Sequence, residues 1–397
     1  MSLRSWIKGI GRVLNRCIPK REDQILFESN SDYCDNSRAL YDYMQAAGYG
    51  EHYRFVWCVS DVRRPPAGLS GAELVSFRSR RGFLRYFLTM ARSGHVVFSH
   101  YAPPFVNPKG QQVLNLWHGT PLKTLKGHVP PASLFSALLS PSDLFDPILA
   151  ESFGAAPEQL VQCGYPRNDL LFHPKDSLAR LGIDPAGWKK VLLWMPTFRR
   201  PADGSYQDGA ATSTGLPLIE TPALLEELNA RLTELGLYLM IKLHPGQDLS
   251  GVKLVELSSI RMLTNRELDE AGVELYRLVG AADGLLTDYS SIYFDYLLLN
   301  HPMIFLIDDI DGYQEKRGFT VADPLSLMPG EKVRAAEELY QALGRLARGE
   351  DAWEGERARV NGLVNRFTDD QSARRTAERF FPEGRSGHFG QQEAETK

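Results

Sequence analysis

Four short apolar runs of this chain end in residues able to do acid–base or phosphate chemistry. Run 113–117 closes on His118-Gly119-Thr120-Pro121, with Lys123 shortly after. A histidine beside glycine at a strand end opens onto a cleft and titrates near neutral pH, which suits a general base; a turn histidine satisfied by backbone is the plainer alternative. Run 191–195 closes on Pro196-Thr197-Phe198-Arg199, where the guanidinium can fork onto phosphate oxygens or simply stay solvated. Run 237–243 carries Lys242 and closes on His244-Pro245, the proline halting the strand and turning the chain at the histidine. Run 285–287 leads through Asp288-Tyr289 into Ser290-Ser291 and a helical stretch. Those serines either cap a helix or join backbone N–H groups and the helix dipole in holding phosphate. Asp295, one turn on, is spaced to receive the hydroxyls of a ribose or polyol. Each feature alone has an ordinary structural use; four together point to one ligand-binding surface.

Such residues need a frame, and the pattern supplies one. Strands are expected at 24–28, 53–60, 95–100, 111–117 and 160–163, then at 190–195, 237–243, 260–263, 284–287 and 303–307. Helical patterns lie between them, at 37–47, 222–235, 274–281 and 291–299. Alternation of this kind builds parallel sheets from βαβ units, and two such series predict two doubly wound α/β domains facing across a cleft. Ligands in such sheets bind outside the carboxyl ends of the strands. The boundary is expected near 174–188, after the turn-rich stretch 164–169. Residues 201–217 read as a mobile loop and 383–397 as a disordered polar tail. No internal repeat is present.

The 397 residues include 45 Lys plus Arg, 49 Asp plus Glu and 43% hydrophobic residues, giving a net charge of -4. These values exclude wholesale disorder and give no reason to expect nucleic-acid binding. Cys17, Cys34, Cys58 and Cys163 have no C-x-x-C spacing, which argues against a disulfide framework or zinc site and for a reducing compartment. No run approaches the ~18 apolar residues of a spanning helix, and residues 1–21 lack the apolar core of a cleavable signal. The chain is therefore expected on the cytoplasmic side. Arg4, Lys8, Arg12, Arg16, Lys20 and Arg21 stand in that first segment without one acid. Wound as a helix, it sets most of them opposite Leu3, Trp6, Ile7, Ile10, Val13, Leu14, Cys17 and Ile18. That arrangement suits an anionic membrane interface; an apolar face packed on the protein body is the alternative. Gly9 and Gly11 weaken the helix. Asp309-Ile310-Asp311 formally matches a D-x-D metal motif but reads better as an acidic turn, and His95, His100 and His301 read as structural. The chain has no P-loop, no G-x-G-x-x-G after a strand and no G-x-S-x-G elbow.

Taken in order, six segments form a specific set: Trp117-His118-Gly119-Thr120-Pro121-Leu122-Lys123, Gly164-Tyr165-Pro166-Arg167-Asn168-Asp169, Pro196-Thr197-Phe198-Arg199, Lys242-Leu243-His244-Pro245, Thr287-Asp288-Tyr289-Ser290-Ser291 and, after Tyr313, Arg317-Gly318-Phe319. Over residues 23–375 the chain resembles the CDP-glycerol glycerophosphotransferase family of teichoic-acid and capsule synthesis. The resemblance implies a GT-B-like fold with an acceptor-side Rossmann-like domain at 22–174 and a donor-nucleotide domain at 175–382. It implies a peripheral enzyme on the cytoplasmic face of the membrane, a phosphotransferase carrying glycerol phosphate from CDP-glycerol to a polyprenyl-linked saccharide or glycerol-phosphate acceptor and releasing CMP. His118 and His244 match the family's two functional histidines. Arg199, Ser290, Ser291 and Asp295 match donor-binding positions, with Thr197 and Asp288 beside them. Glu274 opens Glu274-Leu275-Tyr276-Arg277, where the family often reads Asp-Ile-Asn-Glu-Leu. Gly119, Lys123, Arg167, Asp169 and Arg317 are further cleft candidates.

In the implied mechanism His118 takes the proton of a hydroxyl attacking the β-phosphorus, while His244, Arg199 and Ser290-Ser291 neutralise the pyrophosphate. No cofactor or metal site is required by it, and dependence on a divalent ion stays open. The length fits a compact, primase-like member, and a homo-oligomer is compatible with it. The alternatives are a CDP-ribitol transferase, a GT-B glycosyltransferase using a UDP- or GDP-sugar, and an inert membrane-surface binding protein.

Overall fold

The computed structural model describes residues 3–125, 129–197, 214–243 and 256–382. Two compact units emerge: unit 1 holds the chain through His118, Leu125–Asp169 and the segment from Asp369 on, and unit 2 holds Gly119–Thr124 and Leu170–Thr368. In unit 1, β1 (Arg21–Glu28), β2 (Arg54–Cys58), β3 (Glu73–Val75), β4 (Ser93–Phe98), β5 (Gln112–Asn115), β6 (Ala137–Leu139) and β7 (Leu160–Val161) form a parallel sheet. Its order is β3-β2-β1-β4-β5-β6-β7. Helices α1 (Leu3–Cys17), α2 (Asp35–Ala46), α3 (Arg80–Arg92) and α4 (Asp146–Phe153) complete this part.

Unit 2 contains α5 (Ser177–Arg180), β8 (Lys190–Met195), α6 (Pro222–Leu235), β9 (Leu237–Lys242), β10 (Ile260–Leu263), α7 (Asn265–Ala271) and α8 (Leu275–Gly280). It continues with β11 (Gly284–Thr287), α9 (Ile292–Tyr296), β12 (Met303–Leu306), α10 (Ile310–Lys316), β13 (Glu331–Val333), α11 (Ala336–Ala347) and α12 (Glu354–Val364). The strands are parallel in the order β10-β9-β8-β11-β12-β13. Every residue of β9, β11 and β12 is buried, as expected of strands covered on both faces.

The missed strands, β3, β6 and β13, have three residues each, too few to show a period. The expected domain break falls earlier than 174, between Asp169 and Leu170, and neither unit is one continuous stretch. The return to unit 1 is made by α13 (Ser372–Phe380), which packs against α2. The Asp169 carboxylate accepts the backbone N–H groups of Ser372 and Ala373, each at 2.8 Å. That cap lies 203 residues upstream of the first helical residue, beyond the reach of any local pattern.

Helix α6 shows how local chemistry sets an element. The Thr221 hydroxyl accepts the Leu224 N–H, Pro222 opens the first turn, and Gly236 closes the helix at a φ of 72°. Its Leu225, Leu228 and Leu232 recur at helical spacing and pack with Trp194, Ile241 and Leu343 in the unit 2 core.

Helix α1 docks in the opposite sense to an ordinary amphipathic helix. Gly11 and Asn15 are buried; the Asn15 amide donates to Phe105 O at 2.8 Å and Gln111 Oε1 at 3.0 Å. Lys20 Nζ donates to Asn15 O at 2.6 Å and Ala91 O at 2.7 Å. A side chain at Gly11 would meet the Phe105 ring at 2.3 Å, so this glycine permits the close approach. Ile10, Val13 and Leu14 are 40%, 57% and 50% exposed. The small and polar stripe docks, and these aliphatic side chains stay open.

Replacing the fully buried Leu228 by alanine is expected to cost about 3 kcal/mol. Urea unfolding followed by tryptophan fluorescence should show the loss in the transition of unit 2.

Candidate functional site

In a doubly wound sheet, adjacent strands whose connections leave in opposite directions open a crevice at their carboxyl ends. In unit 1 those strands are β1 and β4. Asp35 and Asn36 follow β1, Ser99 and His100 follow β4, and Trp117 and His118 follow β5. Trp117 has a φ of 54°, a conformation costing a bulky residue on the order of 1–3 kcal/mol unless its surroundings enforce it. Two asparagines do so. Asn115 Oδ1 accepts the Trp117 N–H at 3.0 Å, and the fully buried Asn36 amide donates to Trp117 O at 2.9 Å and Leu116 O at 3.3 Å. The Asn36 Oδ1 accepts the Arg167 N–H at 3.1 Å.

This turn presents His118. Its Nδ1 lies 3.2 Å from the Ser99 carbonyl, which can only accept, so Nδ1 carries the proton and Nε2 the basic lone pair. The His100 ring stacks on it with centroids 4.8 Å apart and planes 9° from parallel. Asp35 lies 2.8 Å from Arg167 Nη1 and 3.5 Å from His100 Nε2, and the same Nη1 donates to His118 O at 2.9 Å. Burial, and next His100, press His118 down to about 4, against the pull of Asp35 and the Ser99 carbonyl. The near-neutral titration expected from sequence is thus corrected: His118 stays a neutral proton acceptor well below pH 7. Burial likewise lowers His100. Burial raises Asp35, but Arg167 and the two imidazoles outweigh it and carry the carboxyl below its ordinary value.

Asp35, Asn36, Ser99 and His100, which the structure brings up to His118, escaped sequence reasoning. The one available sign was Asp-Asn-Ser at a helix start directly after a strand. Two cleft candidates change role. Arg167 is 5% exposed and ties Asp35 to the His118 backbone. Asp169 serves as the cap of α13, with burial raising it to about 6. Gly119 has a φ of 143° and begins the segment 119–124 of unit 2. There Lys123 forms an antiparallel bridge with Phe319. Thr124 N–H and its hydroxyl donate to Gly318 O and Arg317 O, and Thr320 N–H donates to Leu122 O at 2.9 Å. Lys123 and Arg317 thus flank a backbone pairing.

In unit 2 the corresponding reversal lies between β8 and β11. Thr197 follows β8; its N–H donates to both Asp288 oxygens at 2.9 and 3.1 Å, and its hydroxyl to Oδ2 at 2.8 Å. Asp288 is fully buried, so it stitches two loops rather than meeting a ligand directly. Asp295, expected as a ribose acceptor, is also fully buried and accepts the Tyr276 hydroxyl at 2.6 Å. Glu274 caps α8, accepting the N–H groups of Tyr276 at 2.7 Å and Arg277 at 3.2 Å. Ser290 and Ser291 are partly exposed, and Ser291 makes no side-chain cap, so the plain capping alternative is not realised. The helix behind them is shorter than expected: five α-helical residues, then a 3₁₀ turn over Leu297–Leu299. Lys242 is 3% exposed and donates to Leu243 O at 3.0 Å; burial draws it down to about 8 against Asp269 and Glu267.

Arg199, His244 and the segment 383–397 lie outside the described residues, as does most of 201–217. Asp309 accepts the Tyr289 hydroxyl at 2.9 Å, while the Asp311 side chain is 94% exposed. Among the described residues no group of three His, Cys, Asp or Glu could hold a metal ion, and no helix is long and apolar enough to cross a membrane. His95 bridges Gln112 Oε1 and Glu22 O, and His301 lies 3.1 Å from Ala282 O, both structural positions.

A family model described as CDP-Glycerol:Poly(glycerophosphate) glycerophosphotransferase matches residues 12–382. The teichoic acid poly(glycerol phosphate) polymerase of Bacillus subtilis strain 168 is 27% identical over 359 residues, covering 83% of this chain and 45% of that protein. The protein of the same name from Bacillus spizizenii W23 is 27% identical over 375 residues, covering 86% and 89%. This chain thus spans less than half the length of the first relative and most of the second. A solved structure of the wall teichoic acid polymerase TagF, a His-to-Asn variant soaked with CDPG, superposes with a TM-score of 0.75 at 21% identity, covering 96% of this chain and 94% of that one. The shared fold is a GT-B-like α/β architecture of two parallel sheets flanked by helices.

The buried imidazoles make unit 1 sensitive to acid. With His118 depressed to about 4, the unfolded chain binds the extra proton between roughly pH 6.5 and 4, so stability present above that window is lost as pH falls through it. Glu28, raised by burial to about 7, works in the other direction but is common to wild type and a His118 variant. The Tm difference, wild type minus His118→Gln, should be flat above pH 6.5 and fall steadily towards pH 4 in differential scanning fluorimetry.

Proposed function

Because this chain belongs to the CDP-glycerol:poly(glycerophosphate) glycerophosphotransferase family, we propose that it transfers glycerol phosphate from CDP-glycerol to a hydroxyl of a polyprenyl-linked acceptor, releasing CMP in the synthesis of a teichoic-acid-type polymer. The observation that carries the mechanism is His118, held neutral with its Nε2 lone pair presented from a strand end. Nε2 accepts the acceptor hydroxyl's proton as the oxygen attacks the β-phosphorus; the bond to the bridging oxygen breaks, and CMP leaves with that oxygen. A loose phosphoryl-type transition state needs positioning and charge stabilisation more than covalent help. Arg199, His244 and the hydroxyls of Ser290 and Ser291 supply the charge and hydrogen bonds for the pyrophosphate. Thr197 and Asp288 hold the loop that leads to Arg199. The relative solved with CDPG supports the donor assignment.

The open aliphatic residues of α1 support docking on the cytoplasmic face of an anionic membrane. Lys8 and Arg16 are exposed on the same helix, and Phe83 and Leu84 of the neighbouring α3 are 40% and 58% exposed. Aliphatic and aromatic side chains beside cations are what an interfacial helix inserts and what anionic headgroups attract.

Two measurements test these assignments. Purified protein given CDP-glycerol and a lipid-linked acceptor should release CMP, and His118→Ala should lower kcat by roughly 10²–10⁴-fold while keeping the thermal shift produced by CDP-glycerol. Full turnover in that variant removes His118 from the chemistry; a shift only with CDP-ribitol or with UDP- or GDP-sugars changes the donor. In flotation with vesicles rich in phosphatidylglycerol, wild type should rise with the lipid, and Val13→Asp with Leu14→Asp should leave most of the protein at the bottom.

A further inference from the structure

A single hydrogen bond from His118 Nδ1 to the Ser99 carbonyl fixes the tautomer but lets the ring swing about that bond. A general base must keep its lone pair aimed within a small angle, because misplacement by about 1 Å can cost 100-fold in rate. We propose that His100 is a positioning residue for His118, its ring stacked in parallel so that the His118 Nε2 lone pair keeps one direction.

The supports of His100 are independent of His118. The Asn30 N–H donates to His100 Nδ1 at 3.4 Å, which leaves the proton on Nε2, the nitrogen 3.5 Å from Asp35 Oδ2. Asp35 is fixed in turn by Arg167 at 2.8 Å and by the Asn36 N–H at 2.7 Å. His100 and Asp35 side chains are only 20% and 14% exposed, so the stack is held inside the protein. The Trp117 ring centroid also lies 3.9 Å from that of His118, with the planes tilted by 45°. The His118 ring therefore has two close aromatic neighbours, one whose backbone is held by Asn36 and Asn115 and one held by Asp35.

The stack also adds to the effect of burial on the charge. The charged or titratable groups acting on His118 are His100, Asp35 and Arg167. Burial is the largest influence on both rings; for His118 a charge on the stacked His100, and Arg167, add to it against the pull of Asp35 and the Ser99 carbonyl. His118 is thereby kept in its accepting form.

The role in turnover rests on the transferase assignment above; the geometric role does not, and the test separates them. Histidine-selective ¹⁵N spectra report tautomer and titration directly, and the His118 signals are identified by their loss in His118→Gln. Wild type should show a neutral Nδ1–H tautomer for His118 that persists below pH 5. His100→Ala should give a tautomer mixture and move the His118 midpoint up by about one unit. His100→Phe, which keeps an aromatic ring and removes the charge, should retain the tautomer yet show the same upward shift; it carries the test if the alanine variant does not fold. With CDP-glycerol as donor, kcat of His100→Ala should fall about 10- to 100-fold while KM changes little, and the acid limb of the rate profile should move up with the spectroscopic midpoint. An unchanged tautomer and midpoint in the variants would overturn the positioning role whatever the turnover. Absence of turnover in wild type with every CDP-alditol would instead remove the transferase assignment and leave the spectra to decide the stack.

Discussion

One buried carboxamide holds unit 1 in working order. Asn36 is the second residue of α2, yet its amide grips the carbonyls of Leu116 and Trp117, and its oxygen takes the N–H of Arg167. Three segments far apart in sequence therefore meet at one side chain with no access to water. Removing it would leave buried donors and acceptors unpaired, each costing roughly 1–3 kcal/mol. It would also free Trp117 from a backbone conformation it does not choose by itself. The direction in which His118 faces follows from that conformation.

Unit 2 uses the same device with a charge. Asp288 ends β11 as Thr197 follows β8, and both of its oxygens are engaged by Thr197. In each unit a buried polar side chain ties together loops at the carboxyl ends of the strands. The described ends of these loops are thereby fixed in place before any ligand binds. Dipoles placed in advance stabilise developing charge better than ones that must reorganise.

Much of this frame was legible in the sequence. The long strands announced themselves as apolar runs; 190–195, 260–263 and 284–287 are observed with those limits. The His118 turn was legible because glycine and proline follow a strand. Its acidity was not, since that depends first on burial and then on His100, Asp35 and Arg167, which reach it from other loops. Asp169, Asp288 and Asp295 mark a deeper limit. A carboxylate at a strand end can hold a ligand or stitch the protein to itself, and only burial and partners tell the two apart. Asp295 reads as a ligand acceptor until Tyr276 is found 2.6 Å away. Gly11 was misjudged for a related reason: a poor helix former is a good choice where another residue's ring must come close.

The return of α13 to unit 1 has a consequence for how the chain comes into being. Asp169 emerges from the ribosome long before Ser372 and Ala373, the residues whose N–H groups it will receive. Through that interval Asp169 and α2 wait without the helix that packs against them, while all of 170–368 is made and forms a sheet of its own. Most of unit 2 can thus mature as it is synthesised, whereas unit 1 stays open on one flank until α13 has been made. Any quality-control factor that binds unfinished surfaces would find its target there, on the flank of unit 1 that α13 later covers.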